Sequence, residues 1–120
     1  MNITLREEYL PLTPQALHIL LSLSENQNTG YQLKIAIRED THGSIELSSG
    51  SIYPTLKRMC HFGLVEALNP AFGPGPQGIK QVYRLTPEGW GAIEHELNRL
   101  ERTITLGRAR LANRVQYTQP

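Results

Sequence analysis

The chain has 120 residues, 39% of them apolar, which suits one domain with a modest core, and its formal net charge of +1 argues against a protein that coats nucleic acid indiscriminately. A single cysteine, Cys60, excludes an intrachain disulfide or a thiolate metal cluster within one chain. The opening MNITLREEYL lacks the basic-then-apolar order of a signal peptide, and no apolar run nears the ~20 residues of a membrane span, so a cytoplasmic protein is expected.

Charge is unevenly distributed. Residues 1–47 carry three Lys or Arg against six Asp or Glu, whereas residues 48–85 carry four against one. Residues 101–120 again carry four against one. A basic surface confined to part of a nearly neutral protein suits binding to DNA through one face.

In chain order, residues 1–12 read as an arm ending in Leu10-Pro11-Leu12. Thr13-Pro14 then opens a first helix, with threonine as cap and proline in the first turn, and Ala16, Leu17, Leu20, Leu21 and Leu23 line its apolar face to about Glu25. Ser24 to Asn28 reads as a loop. Thr29-Gly30 leads into a second helix through Tyr31, Leu33, Ile35 and Ile37, ending near Asp40. Ile45 and Leu47 alternate with polar neighbours, as in a very short strand or an extended segment.

A third helix begins within Ser48-Ser49-Gly50-Ser51 and stops at Gly63, a natural left-handed C-terminal glycine. Pro54 argues for a late start, because an interior proline costs about 3 kcal/mol, and this places the cap at Ser49 or, preferably, Ser51. Two strand-like runs, 64–68 and 80–85, flank a segment with three prolines and three glycines among residues 70–78, as in a hairpin with a long tip. Thr86-Pro87-Glu88 launches a last helix reaching about Asn113.

The order helix, helix, helix, hairpin, helix predicts a mainly α protein with a small β-hairpin: a winged helix-turn-helix over 13–86, a long C-terminal dimerisation helix over 87–113 and a tail over 114–120. On helix three, Ile52, Leu56 and Met59 fall on one side, which predicts a core face. The opposite side carries Gly50, Pro54, Lys57, Arg58 and His61, flanked by Ser51 and Tyr53, and Ser49 at the helix start joins them as a DNA-binding candidate. Small residues at its N-terminal end and cations further along fit a helix that enters the major groove and holds phosphates. Lys57 and Arg58 alone would describe any solvated helix face; the helix before them and the hairpin after them favour the reading head.

These residues resemble the PadR family of bacterial transcriptional regulators over residues 13–111. The most specific block is Leu47-Ser48-Ser49-Gly50-Ser51-Ile52-Tyr53-Pro54-Thr55-Leu56-Lys57-Arg58-Met59, followed by Gly63-Leu64-Val65. Tyr83-Arg84-Leu85-Thr86-Pro87-Glu88-Gly89 is similar to the family's strand-to-helix junction, and Gly30-Tyr31-Gln32-Leu33 to its opening of helix two. The resemblance implies a dimeric winged-helix regulator, usually a repressor, with one C-terminal helix. It also implies that Tyr31, Ser51, Tyr53 and Lys57 lie at the DNA surface and that the wing meets the backbone or minor groove. The family's wing commonly has consecutive basic residues before its second strand; here Lys80 is the only cation in Gly75 to Gln81, so a weaker wing contact is expected.

In the last helix, Trp90, Ile93, Leu97, Leu100, Ile104 and Leu111 follow spacings of three and four, with Gly107 where the next member would fall. That heptad-like seam predicts pairing with a second chain, which would present two reading helices to a palindromic operator. Trp90 has two readings: a packing tryptophan, which we favour, or the wall of an intersubunit pocket for a small aromatic effector. Arg108, Arg110 and Arg114 read as a solvated basic helix end, where cations suit the helix dipole, in preference to a DNA contact.

His18, His42, His61 and His95 are scattered without an i, i+4 pair, and no phosphate loop or catalytic set is evident, so no metal, cofactor or enzymatic activity is expected. Cys60 reads as a half-buried packing residue in preference to a thiol switch. The competing functional class is a winged-helix protein-interaction module that does not bind DNA specifically, favoured by the low net charge and the poorly basic wing.

Overall fold

The computed structural model describes residues 10–68 and 81–118. Helix α1 spans Pro14–Glu25, strand β1 Asn28–Thr29, helix α2 Gly30–Asp40, helix α3 Ser49–His61, strand β2 Val65–Leu68, strand β3 Val82–Leu85 and helix α4 Pro87–Thr118. The three strands form one antiparallel sheet in the order β1-β3-β2, with Val65 opposite Leu85 and Asn28 opposite Tyr83. This is the expected winged-helix architecture with a long C-terminal helix.

Each helix start has a local cause. Thr13 accepts from the Ala16 N–H at 3.1 Å with Pro14 behind it, and Thr29 accepts from the Gln32 N–H at 3.1 Å. Thr86 serves twice: its hydroxyl accepts from the Gly89 N–H at 3.0 Å and donates to the Gly63 carbonyl at 2.6 Å, which ties the start of α4 to the exit from α3. That exit is a Schellman arrangement around Gly63 at φ 79°, with Gly63 N–H on the Cys60 carbonyl and Leu64 N–H on the Met59 carbonyl.

The start of α3 corrects the expectation. The cap is Ser48, not Ser49 or Ser51, and Pro54 lies inside the helix. The Ser48 N–H donates to Ser51 Oγ at 3.0 Å in a capping-box arrangement, and the Ser51 N–H returns to the Ser48 carbonyl at 3.1 Å. Pro54 removes the bond that would reach the carbonyl of Gly50, but Gly50 is exposed, so water can serve that oxygen and the usual penalty shrinks. A second correction concerns the sheet. Its third strand is Asn28–Thr29, within and just beyond the expected loop, whereas residues 45–47 form no strand.

The core joins α1, α2, α3, β2, β3 and the first turns of α4 through Leu20, Leu33, Ile37, Ile52, Leu56, Met59, Val65, Leu85 and Ile93. As the spacing predicted, Ile52, Leu56 and Met59 are the buried residues of α3. Helix α4 starts against this core at Gly89, where an added Cβ would stand 2.3 Å from the Leu64 carbonyl oxygen. It then leaves the domain: every residue from 101 to 114 is exposed. Its 32 residues span about 48 Å at 1.5 Å each. The radius of gyration is accordingly 17.6 Å, against roughly 14 Å for a compact chain of this length.

Candidate nucleic-acid interface

The sequence of α3 separates its two faces cleanly. With Ile52, Leu56 and Met59 committed to the core, Gly50, Ser51, Pro54, Lys57, Arg58 and His61 lie exposed along the other side, and Ser49 is exposed at the helix start. The fold brings together all the expected reading-head residues except Lys80, which lies outside the described residues together with the hairpin tip.

Among the described residues, the cations of this face stand without acidic partners, as do Lys34, Arg102, Arg108 and Arg110, whereas three other arginines are paired. Arg38 pairs with Glu46 at 3.4 Å, Arg84 with Glu66 at 2.8 Å and Arg99 with Glu96 at 3.0 Å. Lys57 and Arg58 have no ion-pair partner among the described residues. Their charge is therefore uncompensated locally, while that of Arg84 in the wing strand is largely cancelled. His61 leans its ring edge-on against Phe62 at 5.2 Å.

Two tyrosines frame the N-terminal end of α3. Tyr31, in the first turn of α2, is 54% exposed. Tyr53 is half-buried because its ring lies on Gly30, whose missing side chain makes the space: a Cβ there would stand 2.5 Å from Tyr53 Cε1. The Gly30-Tyr31 pair is thus a packing device as well as a surface one. The serines are similarly engaged, Ser51 as part of the cap and Ser49 as acceptor of a 3.1 Å hydrogen bond from Lys34 Nζ. Lys34 was not anticipated. A lone lysine on the second helix carries no sequence signal until the fold sets it beside α3.

Behind α3, Cys60 is half-buried, and burial pushes its thiol above the usual range. Burial likewise raises the Tyr83 hydroxyl, with smaller contributions from Cys60 and Tyr53 beside it. A raised thiol pKa favours the packing reading of Cys60 over a reactive one.

The expected seam of α4 divides. Ile93 is only 6% exposed and Leu100 is partly buried, both packed against their own domain, so their surface is already covered without a second chain. Trp90, Leu97, Ile104 and Leu111, spaced seven apart, are all about half exposed and form a continuous apolar stripe. Trp90 and Leu97 also line a shallow groove with Pro87, Ile93 and Asn98. Periodicity marked the stripe but could not tell its inward members from its outward ones.

Glu96, beside that stripe, also escaped notice. It is 1% exposed, and its carboxylate takes two hydrogen bonds from Arg99. Those bonds hold its pKa below the usual carboxylate value against the opposing effect of burial, with help from the backbone N–H of Leu12. An i, i+3 pair of this kind looks like ordinary helix-surface charge in a sequence.

No group of three or more metal-ligating side chains occurs among the described residues, and none of their helices is long and apolar enough to cross a membrane. No curated protein matches the chain by sequence. Among solved structures, a transcriptional regulator from Clostridium thermocellum superposes with a TM-score of 0.65 at 20% identity, over 90% of this chain and 97% of that one. A PadR-like transcriptional regulator from Bacillus cereus gives 0.64 at 27% identity, over 80% and 89%. RosR of H. salinarum gives 0.60 at 26% identity, over 87% and 97%. Residues 19–95 match the transcriptional regulator PadR-like family model. That match spans well over half of the chain, which therefore belongs to the PadR-like family and is a transcriptional regulator, not an enzyme.

Proposed function

We propose that this regulator is a homodimeric repressor that binds a palindromic double-stranded operator by inserting one α3 into the major groove of each half-site. The observation that carries the reading is the exposed face of α3, where Lys57 and Arg58 stand without acidic partners beside Ser49, Ser51, Pro54 and His61. Phosphates supply the missing countercharge, and the small residues at the helix start admit the base edges. The thin charge of the wing makes it a lesser contributor.

Dimerisation rests on α4. Helices in proteins take most of their stability from packing an apolar face, and the exposed stripe Trp90, Leu97, Ile104 and Leu111 matches the seven-residue repeat of helix pairing. Two copies would bring two α3 helices about one DNA turn apart. Trp90, expected as a packing residue, is instead half exposed at the head of the stripe, and a small aromatic effector acting there would alter the spacing of the two heads and loosen the operator.

Incubating the protein with fragmented genomic DNA at low salt and sequencing what it retains tests the reading. Fragments sharing a palindrome with half-sites about ten base pairs apart are expected. Retention of no fragment would instead favour a winged-helix module that docks proteins.

A further inference from the structure

We infer that Lys34, together with Ser49 and Tyr31, forms a DNA-backbone phosphate site bridging α2 and α3. The inference rests on the DNA-binding reading above and adds to it a contact from a residue outside the reading helix.

Lys34 is held where a free lysine would not be. Its ammonium donates to Ser49 Oγ at 3.1 Å and stands 5.6 Å from the centre of the Tyr31 ring. These contacts draw a flexible four-carbon side chain to one place, the junction where the first turn of α2 meets the first turn of α3. They do not neutralise it, since Lys34 has no carboxylate partner among the described residues. An ammonium has three donors, and Ser49 uses one. Ser49 and Tyr31 are both exposed, so the remaining donors have an open approach.

The position suits a phosphate and not a base. A helix lying in the major groove has the sugar-phosphate strand beside it, and the supporting helix is the element that crosses that strand. Lys34 lies on that supporting helix. Lys57 and Arg58 sit about two to two and a half turns beyond Ser49 along α3, so the three cations are spread along the surface and do not compete for one oxygen. The Ser49 hydroxyl, already oriented by Lys34, can turn its own proton to the same phosphate. Because the cation is prepositioned, little side-chain entropy is lost on contact.

The test compares the unaltered protein, Lys34→Gln and Ser49→Ala on a random-sequence duplex of about 30 base pairs, with affinity followed as salt is raised. Losing one phosphate contact per chain reduces the slope of log affinity against log salt by about 0.9, or about 1.8 for a dimer with both heads engaged. Lys34→Gln is expected to lose that amount, with thermal melting within a few degrees of the unaltered protein. Ser49→Ala removes the strut but keeps the ammonium, and it should weaken binding while leaving the slope unchanged. An unchanged slope in Lys34→Gln, with binding otherwise intact, would make Lys34 a mere strut between helices and overturn the inference alone. Absence of salt-dependent binding by the unaltered protein would overturn the DNA-binding reading with it.

Discussion

Replacing Gly30 by alanine separates stability from binding. An added Cβ would stand 2.5 Å from Cε1, 2.9 Å from Cζ and 3.1 Å from the hydroxyl of Tyr53. The obstacle is the far end of a side chain, so the ring swings away while the backbone stays. Overpacking costs about 1–3 kcal/mol in general, and a movable ring belongs at the low end. Alanine recovers up to about 1 kcal/mol of helix propensity, so the net change in stability is expected within about 1 kcal/mol of zero. Tyr53, however, leaves its place beside the reading face. Gly30→Ala should therefore melt within a few degrees of the unaltered protein at equal concentration, yet bind operator DNA at least tenfold more weakly in a fluorescence-anisotropy titration. Gly89→Ala is the control, because there the obstacle at 2.3 Å is the Leu64 carbonyl oxygen with Leu85 Cδ1 at 2.4 Å. Backbone cannot swing away, so a loss of about 2–3 kcal/mol and a melting point lower by roughly 10 °C or more are expected. Equal destabilisation by the two alanines, or full DNA affinity in Gly30→Ala, would refute the packing argument.

Further outcomes follow from the same geometry. Leu97→Glu or Ile104→Glu places charge in the exposed stripe and should shift sedimentation from dimer to monomer by at least tenfold in Kd; Leu106→Glu, off that stripe, should not. Glu96 has a lowered folded-state pKa, so its stabilising effect is fully present above about pH 4.5 and is lost as pH falls through the folded value. Glu96→Gln should therefore lower the melting temperature at neutral pH and flatten its decline in melts between pH 6 and 3. Burial holds the Cys60 thiol above its ordinary pKa, so alkylation by iodoacetamide at pH 7 should be slower than that of free cysteine, and Cys60→Ser should leave the oxidant response of DNA binding unchanged.

Much of the fold was legible because its signals are local. Thr13-Pro14, Thr29-Gly30, Gly63 and Thr86-Pro87 each act within a few residues of themselves, and each sits at an element boundary as expected. The spacing of Ile52, Leu56 and Met59 similarly announced the buried side of α3 and, by difference, its exposed side. Where two local signals conflicted, reasoning from one misplaced the boundary: Pro54 argued for a late start, but the Ser48 and Ser51 bond prevailed. Strand β1 was hidden because two polar residues have no periodicity, and only the register of β3 makes Asn28 and Thr29 a strand. Lys34, Glu96 and the division of the α4 stripe were hidden for a related reason. Their surroundings come from residues distant in the chain, and a charge beside a helix partner looks the same in sequence whether solvent or core surrounds it.

The most direct test of the central claim uses the operator fragment recovered from genomic selection and the double variant Lys57→Ala, Arg58→Ala. The account predicts that the variant melts and sediments like the unaltered protein but loses at least tenfold in operator affinity, with a shallower salt dependence as two phosphate partners disappear. Unchanged affinity and an unchanged salt slope on that fragment would contradict it, because the uncompensated face of α3 would then not be what holds the DNA.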